Sequence, residues 1–139
     1  MNFIPLLILF ALTSSSSLNE EINLDNLFET RWVLNKAGGY IPNLEEFDFV
    51  IYNTPQAKDL PYQFQFGGLI FKKDGTLLEY VWNKCGTGNP PDFYETEYQI
   101  EKIENEVTIQ ISNSRQWDGD YVIQGLTKSN LKMTRINLN

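Results

Sequence analysis

The chain contains no histidine, a single cysteine, and eleven lysines and arginines against eighteen carboxylates. Each shortage removes a class of chemistry. Without histidine there is no Ser-His or Cys-His pair to activate a nucleophile and no imidazole to hold zinc. Cys85 cannot close a disulfide within the chain, and in "KCGTG" (84–88) no base accompanies it, so the thiol reads as structural and buried. A formal charge of −7 with no cluster of Lys or Arg offers nothing to a phosphate backbone, which argues against nucleic acid as a partner. Gly38-Gly39 and the glycines of "GTG" (86–88) precede no helical pattern, so a phosphate cradle is not expected. Carboxylates and tyrosines remain for acid–base work, and no spacing among them marks a reaction. The chain is read as non-enzymatic, with no cofactor and no metal. Asp92, Asp118 and Asp120 lack the spacing of a calcium loop and read as turn chemistry.

Long apolar runs are also scarce. The one candidate, Phe3 to Leu12, is followed by "TSSSS" and is shorter than the roughly 20 residues a membrane span requires. Its shape is that of a secretory signal over 1–17, although the residues before it carry no Lys or Arg. A mature domain over 18–139, secreted or periplasmic and without a stable membrane span, is the expectation. At about 120 residues it can bury roughly two-thirds of its unfolded surface in one core. A monomer is expected.

What the sequence has in abundance is alternation with period two. In "YETEYQIEKIENEVTIQIS", Tyr94, Thr96, Tyr98 and Ile100 fall on one face and Glu95, Glu97, Gln99 and Glu101 on the other. Val107, Ile109 and Ile111 continue the dry face beyond a turn at Glu104-Asn105. A slip of one residue would bury three glutamates, so the register is strongly specified. In "LIFKKDGTLLEYVW", Leu69 and Phe71 share a face before the turn at Asp74-Gly75, and Thr76, Leu78, Tyr80 and Trp82 are assigned a common face after it. Tyr121 and Ile123, then Leu131 and Met133, mark a last hairpin. In all, strands are predicted at 30–36, 46–53, 62–72, 76–84, 93–103, 106–112, 119–126 and 130–137, after a short helical turn capped by Asn23 or Asp25. The pair Gly67-Gly68 marks a bulge or a sharp bend. No crossover helix is expected between strands. The fold class is all-β: an eight-stranded antiparallel up-and-down barrel, with a two-sheet sandwich as the alternative. In chain-order pairing the tight turns share one rim with the long connection 36–46, and the other three long connections share the opposite rim.

Three segments carry a resemblance. "LFETRWVL" (27–34), "LIFKKDGTLLEYVW" (69–82) and "YVIQGLTKSNLKMTR" (121–135), in this order, resemble the bacterial lipocalin-like domain of the lipocalin/calycin group. Thr30 stands where the Gly-x-Trp motif of lipocalins has glycine. The resemblance implies a barrel that binds a small apolar or amphipathic molecule, with an arginine over the first-strand Trp at the closed end. Trp32 and Arg135 are the residues expected to meet there, because first and last strands pair when a barrel closes. It also implies a mouth at the rim away from the start of the first strand, whereas the loop count places the long connections at the other.

The candidate ligand wall is Phe49, Phe64, Phe66, Tyr80, Trp82, Tyr94, Tyr98 and Tyr121. Tyrosine hydroxyls would orient an apolar guest; the same rings would equally serve to fill the barrel, since a buried Tyr needs only a partner for its OH. Trp117 in "RQWDG" (115–119) plugs a barrel end or serves as an exposed anchor for a protein partner. A protein-binding module acting through one rim is therefore the second reading.

Overall fold

In the computed structural model, residues 21–36, 41, 44–82 and 92–136 are described. The signal segment, Cys85 and Gly38-Gly39 lie outside them. Eight antiparallel strands run alternately up and down around a closed barrel: β1 (Arg31–Leu34), β2 (Glu46–Ile51), β3 (Gly68–Phe71), β4 (Thr76–Val81), β5 (Asp92–Ile103), β6 (Glu106–Ser112), β7 (Gly119–Leu126) and β8 (Asn130–Ile136). A 3-10 turn at Leu24–Asn26 precedes them, its Asn23 side chain accepting from the Asp25 N–H. The fold class is the one the alternation predicts. On β5, Thr96 and Tyr98 are buried between exposed glutamates, and on β6 Val107, Ile109 and Ile111 are buried.

The spatial order departs from chain order in one place. Around the barrel it runs β1-β2-β8-β7-β6-β5-β4-β3, so β1 lies between β2 and β3, and β8 pairs with β2. The chain therefore crosses over the outside of β1 between β2 and β3. Two short helices do this, α1 (Pro55–Lys58) and α2 (Tyr62–Gln65), against the expectation of no helix between strands and of a strand over 62–72. Local chemistry explains the difference. Thr54 accepts from the Ala57 N–H with Pro55 in the first turn, and Pro61 opens the second helix. The alternating rings Tyr62, Phe64 and Phe66 imitate a strand, but a four-residue helix also splits them: Phe64 is buried, and Tyr62 and Phe66 stack outside. The crossover packs Ala57 on Val33 and Val50, which point out of the barrel yet are buried. That is why "WVL" and "FVI" are continuous apolar runs: both faces of these strands are dry.

Because β2 and β3 run the same way, the rims are reassigned. The tight turns 72–75, 104–105 and 127–129 sit with the N-terminal turn at the end where β1 starts. The strand ends joined by the β1–β2, β4–β5 and β6–β7 connections all lie at the other rim. The conflict between resemblance and loop count thus disappears. At the tight-turn end Leu27 enters the interior and accepts from the Trp32 indole N–H at 3.0 Å, and both are fully buried. Trp32 does not meet Arg135: β8 is two strands away, and Arg135 lies over Phe47 and Tyr121 near the opposite rim.

Tyr98 closes the same end by donating its hydroxyl to the Lys72 carbonyl. Burial, with the Asp74 and Glu29 charges, pushes its phenol up to about 12. An unfolded tyrosine ionises near 10, so the folded state favours the neutral ring. Its contribution is complete below pH 10 and is lost as pH rises through 12, a loss on the order of 2–3 kcal/mol. Urea midpoints measured from pH 9 to 12 are expected to fall steeply, and Tyr98→Phe to flatten the slope. A wild-type midpoint that stays level over this range contradicts the buried hydroxyl.

Candidate functional site

The long-loop rim is filled by a ring cluster. Phe47 and Phe49, inward on β2, lie 5.3 and 5.5 Å from the Trp117 ring, and Tyr121 packs edge-on to Phe47 at 5.6 Å. Trp117 is only 2% exposed, so it plugs the barrel and cannot be an exposed anchor. Its loop is built for this. Asp118 accepts from the Ser114 N–H at 2.7 Å, and the Ser114 hydroxyl accepts from the N–H groups of Gln116 and Trp117. The Trp117 carbonyl accepts from the Tyr121 hydroxyl at 2.9 Å, and Arg135 donates to that hydroxyl at 2.8 Å. Burial raises the Tyr121 phenol, against the pull of Arg135 beside it.

Beside the plug lies a cleft of about 290 Å³, lined by Leu34, Phe64, Tyr80, Val81, Trp82 and Trp117, with Gln63 and Gln116 as polar neighbours. The crossover supplies one wall, β4 another and the plug loop a third. Trp82 stacks on Phe66 at 5.0 Å, extending the aromatic surface outward. Arg31 pins this wall: its guanidinium donates to the carbonyls of Phe66 and Gly67 and lies between the Tyr52 and Tyr80 rings at 4.0 and 3.9 Å. A larger hollow of about 940 Å³ lies outside the barrel near Glu21 and Glu104, bordered mainly by charged and amide side chains, and offers an apolar guest little.

No family model, curated protein or solved structure matches the chain.

The eight predicted wall residues separate into four places. Phe64, Tyr80 and Trp82 line the cleft, with Phe66 behind Trp82. Phe49 and Tyr121 are packed core. Tyr98 belongs to the closed end, and Tyr94 lies under the Arg115 guanidinium at 3.8 Å. The face assigned to β4 is corrected. Leu77 and Glu79 point inward and are buried, whereas Leu78 and Tyr80 are on the outside. The signal was in the turn. With Lys73, Asp74 and Gly75 as a three-residue loop, Lys72 bonds Thr76, so Leu77 falls opposite Phe71 and shares its inward face.

That correction brings in Glu79, which lies on the face opposite Leu78 and Tyr80 and so turns inward. It is 1% exposed. Its Oε2 accepts from the Ser114 hydroxyl at 2.8 Å and the Arg115 N–H at 3.1 Å. Its Oε1 is buried with no hydrogen-bond partner among the described residues. One acidic residue inside the apolar stretch 77–82 is the feature that marks it.

Proposed function

We propose that this is an exported, non-catalytic, lipocalin-like binding protein that takes a small apolar or amphipathic molecule at the long-loop rim. The observation that carries this reading is the aromatic-walled cleft between α2, β4 and the Trp117 loop. Its volume is at the lower edge of small-molecule pockets, which begin near about 300 Å³. Rings interleaved with the amides of Gln63 and Gln116 suit a guest that carries both hydrocarbon and a polar end. The packed interior beneath Trp117 supports a ligand seated at the mouth, not threaded along the axis.

Native mass spectrometry after gentle purification tests this. A retained small mass in the wild type, diminished in Trp82→Ala, is the expected result. A bare protein that also takes up no added alkyl ligand overturns the reading. The second reading, a protein-binding rim, draws on the exposed rings of Tyr62 and Phe93, at 68% and 58%. It predicts capture of a partner that Tyr62→Ser abolishes.

A further inference from the structure

Among the described residues, no charged side chain lines the cleft between α2, β4 and the Trp117 loop. In a chain with eleven Lys and Arg and eighteen carboxylates, that bears on the guest. An ionised head group seated there would give up water and meet no counter-charge, which is costly. Arg31 and Glu79 hold residues around the cleft but are not part of its lining. Arg31 donates to the Phe66 and Gly67 carbonyls, and Glu79 accepts from Ser114 and Arg115.

What lines the cleft is neutral and mixed. Gln63 and Gln116 bring amides, each able to donate and to accept, and neither amide has a hydrogen-bond partner among the described residues. Phe64, Tyr80, Trp82 and Trp117 bring rings, three of which carry a polar tip. A pyranose has the matching surface: C–H groups on its faces, and hydroxyls round its edge that donate and accept as amides do, with no charge. Outside the cleft the surface changes. Trp82, Phe66 and Tyr62 pack on one another at ring distances of 5.0, 5.8 and 6.5 Å, and Tyr62 is 68% exposed. This platform runs from the cleft lining out to solvent, and it suits hydrocarbon.

We propose that the cleft selects an uncharged glycoside, with a sugar ring held between the two amides and the aromatic side chains and an alkyl or aryl aglycone laid along Trp82, Phe66 and Tyr62. This rests on the binding-protein reading above and names the ligand class. The volume of about 290 Å³ limits the seated part to a short head group.

Isothermal titration of the full chain at neutral pH, with each ligand below its micelle concentration, is the test. The ligands are octyl β-glucoside, octyl β-galactoside, methyl β-glucoside, octanol, octylamine and octanoate. The tighter octyl glycoside is expected to bind at least about tenfold more tightly than octanol, the margin of two ordinary hydrogen bonds. Octylamine and octanoate are expected to bind more weakly than octanol, and methyl glucoside more weakly than octyl glucoside. Combining Gln63→Leu with Gln116→Leu is expected to cut the advantage of the glycoside over octanol to less than about twofold. If that double variant does not fold, the wild-type ranking decides. Octylamine or octanoate binding as tightly as the glycoside overturns the uncharged head group. Octanol doing so, or a full glycoside advantage in the folded double variant, overturns the sugar. Methyl glucoside binding as tightly as octyl glucoside overturns the aglycone on the platform and makes the guest a free sugar. Each of these leaves the pocket standing. Failure of all six ligands to bind overturns the pocket itself, and this assignment with it.

Discussion

Gly68→Ala is expected to destabilise the protein by about 3–5 kcal/mol and to lower its thermal midpoint by more than about 10 °C. Gly68 opens β3 immediately after the crossover, with φ at +119°. That backbone conformation strains any side-chain-bearing residue by about 1–3 kcal/mol. The space is closed as well. A Cβ there would fall far inside contact distance of the Trp32 carbonyl oxygen and 3.2 Å from Val33 Cγ1. The obstacle is backbone in the middle of β1, so it cannot swing aside. Relief requires β1 and β3 to part, and their pairing is the seam that closes the barrel on this side of the crossover: Arg31 opposite Ile70 and Trp32 opposite Leu69. Gly125→Ala supplies the control. Gly125 lies at the β7 bulge with nothing within 4 Å of an added Cβ, and its φ is not positive. Its replacement is expected to change stability by less than about 1 kcal/mol. Equal losses for the two variants contradict the close passage of β3 over β1.

How much of this was legible in the sequence differs strand by strand, for physical reasons. β5 and β6 were readable because one face meets water: Glu95, Glu97 and Gln99 alternate with Thr96, Tyr98 and Ile100, and only one phase avoids burying charge. β4 was misread because both of its faces are apolar. Leu77 and Leu78, or Tyr80 and Val81, fit either side; outside, Trp82 meets Tyr62 and Phe66 of the crossover, and Tyr80 meets Phe93 and Arg31. The pairing of β8 with β2 has no local signature at all. Phe49 opposite Leu131 and Phe47 opposite Met133 satisfy the same alternation that a β1–β8 pair would have satisfied. Non-local order is decided by which outer face gets covered; the doubly dry "WVL" and "FVI" mark β1 and β2 as covered strands but do not name their partners. The candidate site was half legible for the same reason. Aromatic content pointed to a pocket inside the barrel, of which only part lines the rim cleft; buried Glu79 is of the residue type most often found in water, and only the turn register places it indoors.

Trp117→Ala is the complementary experiment at the open end. Deleting a 2%-exposed indole that contacts Phe47 and Phe49 at ring distances of 5.3 and 5.5 Å is expected to cost about 3–5 kcal/mol, through lost burial and a residual cavity. The backbone bonds that shape the loop do not depend on the ring: Tyr121 donates to the Trp117 carbonyl, and Ser114 accepts its N–H. The loop is therefore expected to keep its course and leave a hole the shape of an indole beside Phe47 and Phe49. Added indole then has a place in the variant that the wild type lacks, and a ligand that binds only the folded state raises stability by RT ln(1 + [L]/Kd). Denaturation midpoints with and without indole separate the possibilities. A rise confined to Trp117→Ala is the expected result and shows that the mouth is plugged by a side chain on a standing frame. A large loss with no rescue means that the loop collapses with its tryptophan, and a loss below about 1 kcal/mol means that Trp117 is not packed in the barrel.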